Sequence, residues 1–397
     1  MDTILKGIRV LDLGQIYNGS YCGLLLGYMG AEVIKLEPPQ GENLRRRLSG
    51  EGKDSLAFVM LNSNKKGITL NLKSDEGKEL FYELVRKSDV LIENFAAGVM
   101  DRLGLGYEAL RQVNPRLIYA SGKGYGSSGP YKDYLAMDLT VQAMSGVMSV
   151  TGFPGSPPVK AGPQIADFMG GIHLAAGVLG ALFHRERTGR GQLVEVSMHD
   201  AMYPALTSQL EAFYRSGGQA PEKTGNRQGG GMTCPYNVYR AKDGHVAIIC
   251  VNDAHWANLC RVMGREDLYR REEFRTNLQR AAHMDYIDQQ VESWTITQSK
   301  HEIHQRLLQA HVPSAPVLTL REVANDPHYL ARGMIREVAH PQRGCVRVPG
   351  MPIRFSQAGD IPLAPSPLLG QHNEEVYANL LNLDRQAMAE LKQRGII

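Results

Sequence analysis

The sequence predicts an α/β fold built on a parallel sheet. Short apolar runs alternate with amphipathic helical stretches through the first half of the chain, the alternation that packs helices on the faces of parallel strands. A stretch poor in apolar residues and rich in glycine follows at 216–233, as in a linker or mobile loop. Of 397 residues, 43% are hydrophobic and 21% charged, enough to bury a sizeable core in two modest domains or one elaborated one.

Residues 8–13 read as a strand, 21–29 as a helix and 32–36 as the next strand, a compact β-α-β unit. A helix over 74–87 carries Leu80, Phe81, Leu84 and Val85 at helical spacing behind Ser74 as N-cap, and the strand 89–93 follows. Then come a helix over 100–113, a strand over 116–120 and helices over 136–147 and 165–187, the last apolar enough to be mostly buried. A strand at 193–197 and a helix at 201–214 close the first region. Past the glycine-rich stretch, 236–239 and 245–251 flank Lys242-Asp243-Gly244 as a hairpin, with helices at 255–263, 284–295 and 301–310 and a terminal one at 377–392.

Lys and Arg exceed Asp and Glu by only 3 charges, so no basic field marks a nucleic-acid binder and any anion site is local. Cys22, Cys234, Cys250, Cys260 and Cys345 form no C-x-x-C pair, so neither a disulfide framework nor structural zinc is expected. The N-terminus lacks a basic region leading into an apolar stretch, and the longest weakly polar run, 170–183, is interrupted by His173. A cytoplasmic protein with no membrane span is the expectation.

Gly124-Tyr125-Gly126-Ser127-Ser128-Gly129 fits the dinucleotide pattern G-x-G-x-x-G, but Pro130, Tyr131 and Asp133 follow where an apolar helix should start, so it reads as a glycine-rich turn. Asp167 stands between apolar residues at the start of a helix. By composition it is foremost a carboxylate that complements the helix dipole; the alternative is a carboxylate kept ionised for attack on a carbonyl or thioester, with Gly170 and Gly171 leaving a substrate room. Asp138 is a second helix-start acid and reads as an N-cap. His173 reads as a packed helix residue, and the clusters Arg45-Arg46-Arg47 and Asn64-Lys65-Lys66 as solvated surface or phosphate contacts. Gly229, Gly230 and Gly231 suit a linker or a flexible lid that excludes water.

Together, several stretches resemble the family III CoA-transferases, a group that includes α-methylacyl-CoA racemase as a divergent branch. The resemblance is carried by Gly7-Ile8-Arg9-Val10-Leu11-Asp12, Gly30-Ala31-Glu32-Val33-Ile34-Lys35-Leu36-Glu37-Pro38-Pro39, Asn64-Lys65-Lys66-Gly67-Ile68, Ile92-Glu93-Asn94-Phe95 and Asp101-Arg102-Leu103-Gly104. It continues through Asn114-Pro115-Arg116-Leu117-Ile118, Gln142-Ala143-Met144-Ser145-Gly146, Ala166-Asp167 and Thr188-Gly189-Arg190-Gly191-Gln192. It implies a Rossmann-like large domain from 1–215 and 321–397, a linker and glycine-rich loop at 216–233, an inserted small α+β domain at 234–320, and an interlocked homodimer.

The resemblance also implies the chemistry. Asp167 matches the family's nucleophile, which forms an acyl anhydride and then an aspartyl-CoA thioester before CoA passes to an acceptor acid. Ile16, Tyr17, Asn18, Leu70, Lys73, Asn94, Phe95 and Arg102 match its CoA contacts, with Lys73 and Arg102 for the nucleotide phosphates; Gly229, Gly230 and Gly231 match its lid. CoA and acyl-CoA are substrates, no cofactor is tightly bound, no metal is expected, and the partners are small carboxylates and a second copy, not nucleic acid or membrane. Met137 stands at the positions of the transferase's active-site tyrosine and the racemase's catalytic histidine, followed by Asp138, and Pro38 replaces an arginine of the formyl-CoA:oxalate enzymes. Gln15, Tyr17, Asn18, Met137 and Arg227 are candidates for the acceptor pocket. An α-proton racemase and a non-catalytic CoA-binding protein are the competing readings.

Overall fold

A computed structural model describes residues 3–47, 52–359 and 361–397. Met1 and Asp2 of the N-terminal stretch lie outside the described residues. The chain divides into two compact units, one of Met1–Met144, Pro163–Met202 and Asp326–Ile397, the other of Ser145–Gly162 and Tyr203–Asn325. The division falls at Met202 and Tyr203, before the linker expected at 216, and the helix read at 201–214 is broken by a 3-10 turn, Tyr203–Leu206, that contains Pro204.

In the first unit β1 (Arg9–Asp12), α1 (Asn18–Tyr28), β2 (Glu32–Glu37), β3 (Lys65–Thr69), α2 (Asp75–Arg86), β4 (Val90–Glu93), β5 (Ile118–Lys123), α3 (Asp138–Met144), α4 (Ile165–Thr188) and β6 (Leu193–Ser197) follow in order. The six strands are parallel in the order β3-β2-β1-β4-β5-β6. Both faces of the sheet are covered, so alternate residues serve opposite cores. Leu11, Ile34 and Leu91 pack with Phe81 and Leu84 of α2 and with Tyr377 and Leu391 near the C-terminus. Val10, Val33, Val90 and Ile118 pack with Leu25 of α1 and with Leu174 and Val178 of α4.

Ser74 caps α2, its hydroxyl accepting the Gly77 N–H, as read from the sequence. By length and apolarity α4 would suit a membrane span, but Leu174, Ala175 and Val178 bury it in the core while Ile172 and Phe183 stay exposed, so it is less buried than expected. The helix read at 100–113 is two, Val99–Arg102 and Tyr107–Val113, because Gly104 turns the chain at φ 77°. Gly146 at φ 85° ends the one read at 136–147, and Asn382 at φ 55° divides the terminal one into Asn373–Leu381 and Arg385–Gln393. The clusters read as solvated are partly core: Lys65 starts β3 and is buried against Asp12, and Arg45 is buried between Glu37 and Asp54. A hairpin of Ile335–His340 and Gly344–Pro349 was not anticipated.

The second unit holds an antiparallel sheet of β7 (Tyr236–Ala241), β8 (Gly244–Ile249) and β9 (Ser314–Pro316). Helices Asp253–Met263, Met284–Thr295 and Lys300–Gln309 bury Trp256, Leu259, Val291 and Leu307 with it, and Lys242 and Asp243 turn the hairpin as read.

Lys65 uses all three of its protons, on Asp12 Oδ2 at 2.7 Å, Ser20 O at 2.9 Å and Asn62 Oδ1 at 2.9 Å. Lys65→Met leaves the buried Asp12 without its cation and should lower stability by about 3–5 kcal/mol, read as a fall in the urea midpoint of the first unfolding transition. An unchanged midpoint would contradict this account.

Candidate active site

In an open sheet of this strand order, ligands bind beyond the carboxyl ends of the strands, where the order reverses between β1 and β4. Three neighbouring strands end there in buried acids: Asp12 on β1, Glu37 on β2 and Glu93 on β4. Each has its own cation, Lys65 at 2.7 Å, Arg45 at 2.7 Å and Lys123 at 2.8 Å. Each also accepts a backbone N–H from the loop that follows, Gly14 at 2.8 Å, Glu42 at 3.0 Å and Phe95 at 2.9 Å. At the reversal Asn94 pairs with both backbone groups of Gln15, accepting its N–H at 2.7 Å and donating to its carbonyl at 2.9 Å.

Helix α4 begins without a cap of its own. Asp138, buried at the start of α3, supplies one from outside: its Oδ1 accepts the N–H of Ala166 at 2.9 Å and of Asp167 at 3.4 Å, while Oδ2 accepts from Gln142 at 2.6 Å. Asp138 thus caps α4 rather than its own helix. It also overturns the expectation that the α4 terminus keeps Asp167 ionised. The first N–H groups of α4 are spent on Asp138, and burial, followed by the Asp138 charge, pushes the Asp167 carboxyl up to about 7. No cation pairs with Asp167 among the described residues.

Gly170 and Gly171 do not make room for a substrate. A Cβ on Gly170 would lie 2.3 Å from Asn18 Nδ2, and one on Gly171 2.7 Å from Asn18 O, so these glycines let α4 close on α1. Asn18 is buried there, its Oδ1 only 2.4 Å from where a Gly122 Cβ would stand, and neither atom of its amide has a hydrogen-bond partner among the described residues. Tyr17 and Tyr21 pack around Phe168, the neighbour of Asp167, with ring centroids at 6.0 and 4.7 Å.

The structure therefore brings Ile16, Tyr17, Asn18, Asn94 and Phe95 to one edge of the sheet, with Tyr17 reaching the Asp167 segment. Leu70 sits at the end of β3 with its side chain 1% exposed in the core, so burial removes that side chain from any ligand surface. Lys73 and Arg102 follow β3 and β4 on the same edge, both exposed. Met137 is 67% exposed, and His173 is exposed rather than packed, its ring bonded to Met169 O. In the second unit Arg227 is taken by Asp285 at 2.7 Å and Asp288 at 2.6 Å, which argues against a free acceptor site on it. Gly229, Gly230 and Gly231 line a cavity of about 480 Å³ with Lys223 and Arg215, whose Nη2 donates to Gly230 O at 3.0 Å. Sequence reasoning missed Lys35 and Glu42, a buried pair at 2.8 Å beneath the Gly14–Ile16 turn.

Residues 5–373 match the profile described as CoA-transferase family III. The chain belongs to this family. The family III chain is 38% identical to a formyl-CoA:oxalate CoA-transferase of Streptomyces coelicolor over 99% of both chains, and 37% identical to one of Escherichia coli O157:H7 over 100% of both. Among solved structures it is similar to a CaiB/BaiF family protein from Brucella suis, with a TM-score of 0.84 and 34% identity over 96% of this chain and 100% of that one. It is accordingly a CoA-transferase, and CoA thioesters are the substrates of its family.

The carboxyl of Asp167, raised above the ordinary carboxylate range, loses its proton as pH climbs through about 7. In this CoA-transferase any step that needs the carboxylate should quicken with pH and level off above that value. Asp138→Asn keeps an oxygen for the α4 N–H groups but removes the like charge, so the acid limb of the kcat profile should move to lower pH. It should stay above the usual carboxylate value, because burial persists. A limb that does not move contradicts the coupling.

Proposed function

We propose that the chain transfers CoA from an acyl-CoA donor, such as succinyl-CoA, acetyl-CoA or formyl-CoA, to a small mono- or dicarboxylic acid, with Asp167 as nucleophile. The observation that carries this reading is the Asp167 carboxyl itself, half-buried, without a cation, beside Asp138 at a helix start. A structural acid is paired, as Asp12, Glu37 and Glu93 are; an unpaired, partly desolvated carboxylate is a stronger nucleophile.

The ionised Asp167 attacks the donor thioester, the carbon–sulfur bond breaks, and CoA leaves as thiolate with an aspartyl mixed anhydride behind. The thiolate then attacks the aspartyl carbonyl, releasing the donor acid and leaving an aspartyl-CoA thioester. The acceptor carboxylate attacks that thioester and expels the thiolate, which attacks the acceptor's carbonyl in the new anhydride, giving product acyl-CoA and free Asp167. Every step exchanges one activated acyl group for another, so water must be kept out to preserve the thioester. Gly229, Gly230 and Gly231 serve as the lid in this reading. Exposed Lys73 and Arg102 meet the nucleotide phosphates, and Ile16–Asn18, Asn94 and Phe95 line the CoA site.

The relatives' name points to formyl-CoA and oxalate, but Pro38 and Met137 supply no charged or hydroxyl donor where those enzymes carry one, which weighs against formyl and oxalate specificity. Racemisation is disfavoured: it needs two bases, Met137 has none, and Asp138 is committed to α4 and Gln142. Leu135, Met137 and Phe183 are large apolar side chains left exposed on the first unit, and a second copy in a homodimer covers such surface.

Asp167→Ala should lower CoA exchange by about a thousandfold or more while leaving the circular dichroism and oligomeric state unchanged. Hydroxylamine added during turnover should convert Asp167 to its hydroxamate, detected by peptide mass spectrometry. Donors labelled in CoA, screened against oxalate, succinate, glutarate, itaconate, mesaconate, malate and citramalate, identify the acceptor. Retained exchange in Asp167→Ala would refute the mechanism.

A further inference from the structure

Ile16 lies at φ 60°. A β-branched residue avoids this left-handed conformation, because its side chain crowds the backbone, and such outliers persist only where their surroundings over-determine them. The surroundings here are unusually complete. Asn94 holds both backbone groups of Gln15, Lys35 donates to the Gly14 carbonyl, and Asp12 accepts the Gly14 N–H. Ile16 itself donates its N–H to Glu42 Oε2 at 3.0 Å. The other oxygen of Glu42 meets Lys35 Nζ at 2.8 Å, both side chains being 1% exposed. Glu42 is fixed in turn, its N–H donating to Glu37, which Arg45 grips. Just past the strained residue, the Tyr17 ring packs on Phe168 and the Tyr17 carbonyl accepts the Tyr21 N–H in the opening turn of α1.

We propose that Glu42 is a positioning residue: anchored by Lys35, its carboxylate fixes Ile16 in the left-handed turn and so seats Tyr17 on Phe168, beside Asp167, where the acyl-CoA thioester is received. This rests on the reading of Asp167 as nucleophile. One oxygen of Glu42 accepts the Ile16 N–H and the other lies against the Lys35 ammonium as an ion pair, whereas a glutamine at 42 offers one oxygen and one uncharged NH₂ that would face that cation. A carboxylate is therefore needed at this position, not merely a polar side chain.

The test is a double-mutant cycle between Glu42→Gln and Ile16→Gly, in the full-length enzyme, reading kcat/KM for the acyl-CoA donor, the unfolding midpoint and the crystal structure. Glycine adopts φ 60° without strain, so it removes the need for the clamp. Glu42→Gln alone should lower kcat/KM by about tenfold or more, as a displaced contact near reacting atoms does. In the Ile16→Gly background the same change should cost less than about threefold. A purely structural Glu42 would lower stability and activity alike in both backgrounds, so equal losses overturn the proposal, as does a folded Glu42→Gln enzyme with wild-type kcat/KM.

Should Glu42→Gln fail to fold, Lys35→Met with Glu42→Leu replaces the buried pair by an apolar one, an exchange proteins tolerate, and still removes the acceptor of the Ile16 N–H. In the crystal structure of either variant Ile16 should leave the left-handed region; Ile16 retained at positive φ overturns the proposal. The crystallographic readout does not depend on turnover. A wild-type enzyme that exchanges no CoA would sink the transferase reading alone, and Ile16 would still decide the role of Glu42.

Discussion

Three adjacent strands of the parallel sheet end in buried carboxylates, and the loops beyond them are ordered because each carboxylate has a cation of its own. Desolvating an ion costs several kcal/mol. Pairing Asp12 with Lys65, Glu37 with Arg45 and Glu93 with Lys123 offsets that cost only because the remaining lone pairs are also used. They are used on loop N–H groups, those of Gly14, Glu42 and Phe95. The charges that stabilise the strand ends therefore also fix the backbone at the edge where a parallel sheet receives its ligand.

Against that pattern Asp167 is the exception, and the proposed chemistry rests on it. Its neighbour is another acid, and Asp138 rather than Asp167 takes the α4 N–H groups. Two carboxylates in different surroundings take different roles. Asp138 has its oxygens taken by two backbone N–H groups and by Gln142, while Asp167 is left with a costly charge. The arrangement costs stability at one side chain and recovers it at the helix start beside it.

Much of this was legible in the sequence, and the limits have physical causes. Alternating apolar runs located most strands of the large sheet, since their residues must be buried on both faces, and Ser74 announced α2 because an N-cap acts within three residues. Lys65 was unreadable for the opposite reason. Its partner Asp12 lies 53 residues away, and a buried lysine starting an edge strand has the local pattern of a solvated cluster. Gly170 and Gly171 were read as clearance because sequence shows that side chains are missing, not what occupies the space; Asn18 occupies it. Asp138 was correctly read as a cap but assigned to the wrong helix, since capping across 28 residues leaves no local spacing. The strained Ile16 had no signal, because nothing in a β-branched residue suggests a positive φ.

The same accounting of charges separates binding from chemistry. Lys35, Arg45, Lys65 and Lys123 are committed to buried acids, and drawing any of them toward a ligand would strand a carboxylate in the core, at about 3–5 kcal/mol. Lys73 and Arg102 are exposed beyond β3 and β4 and hold no ion pair among the described residues. In the proposed CoA site a polyanion would therefore be met at the rim, by exposed cations in water, where attraction is screened by salt. Asp167 itself has no cation paired with it among the described residues. A cation close to Asp167 would pull its pKa back toward the ordinary value, so the raised carboxyl on which the proposed mechanism rests depends on Lys35, Arg45, Lys65 and Lys123 being spent on other acids.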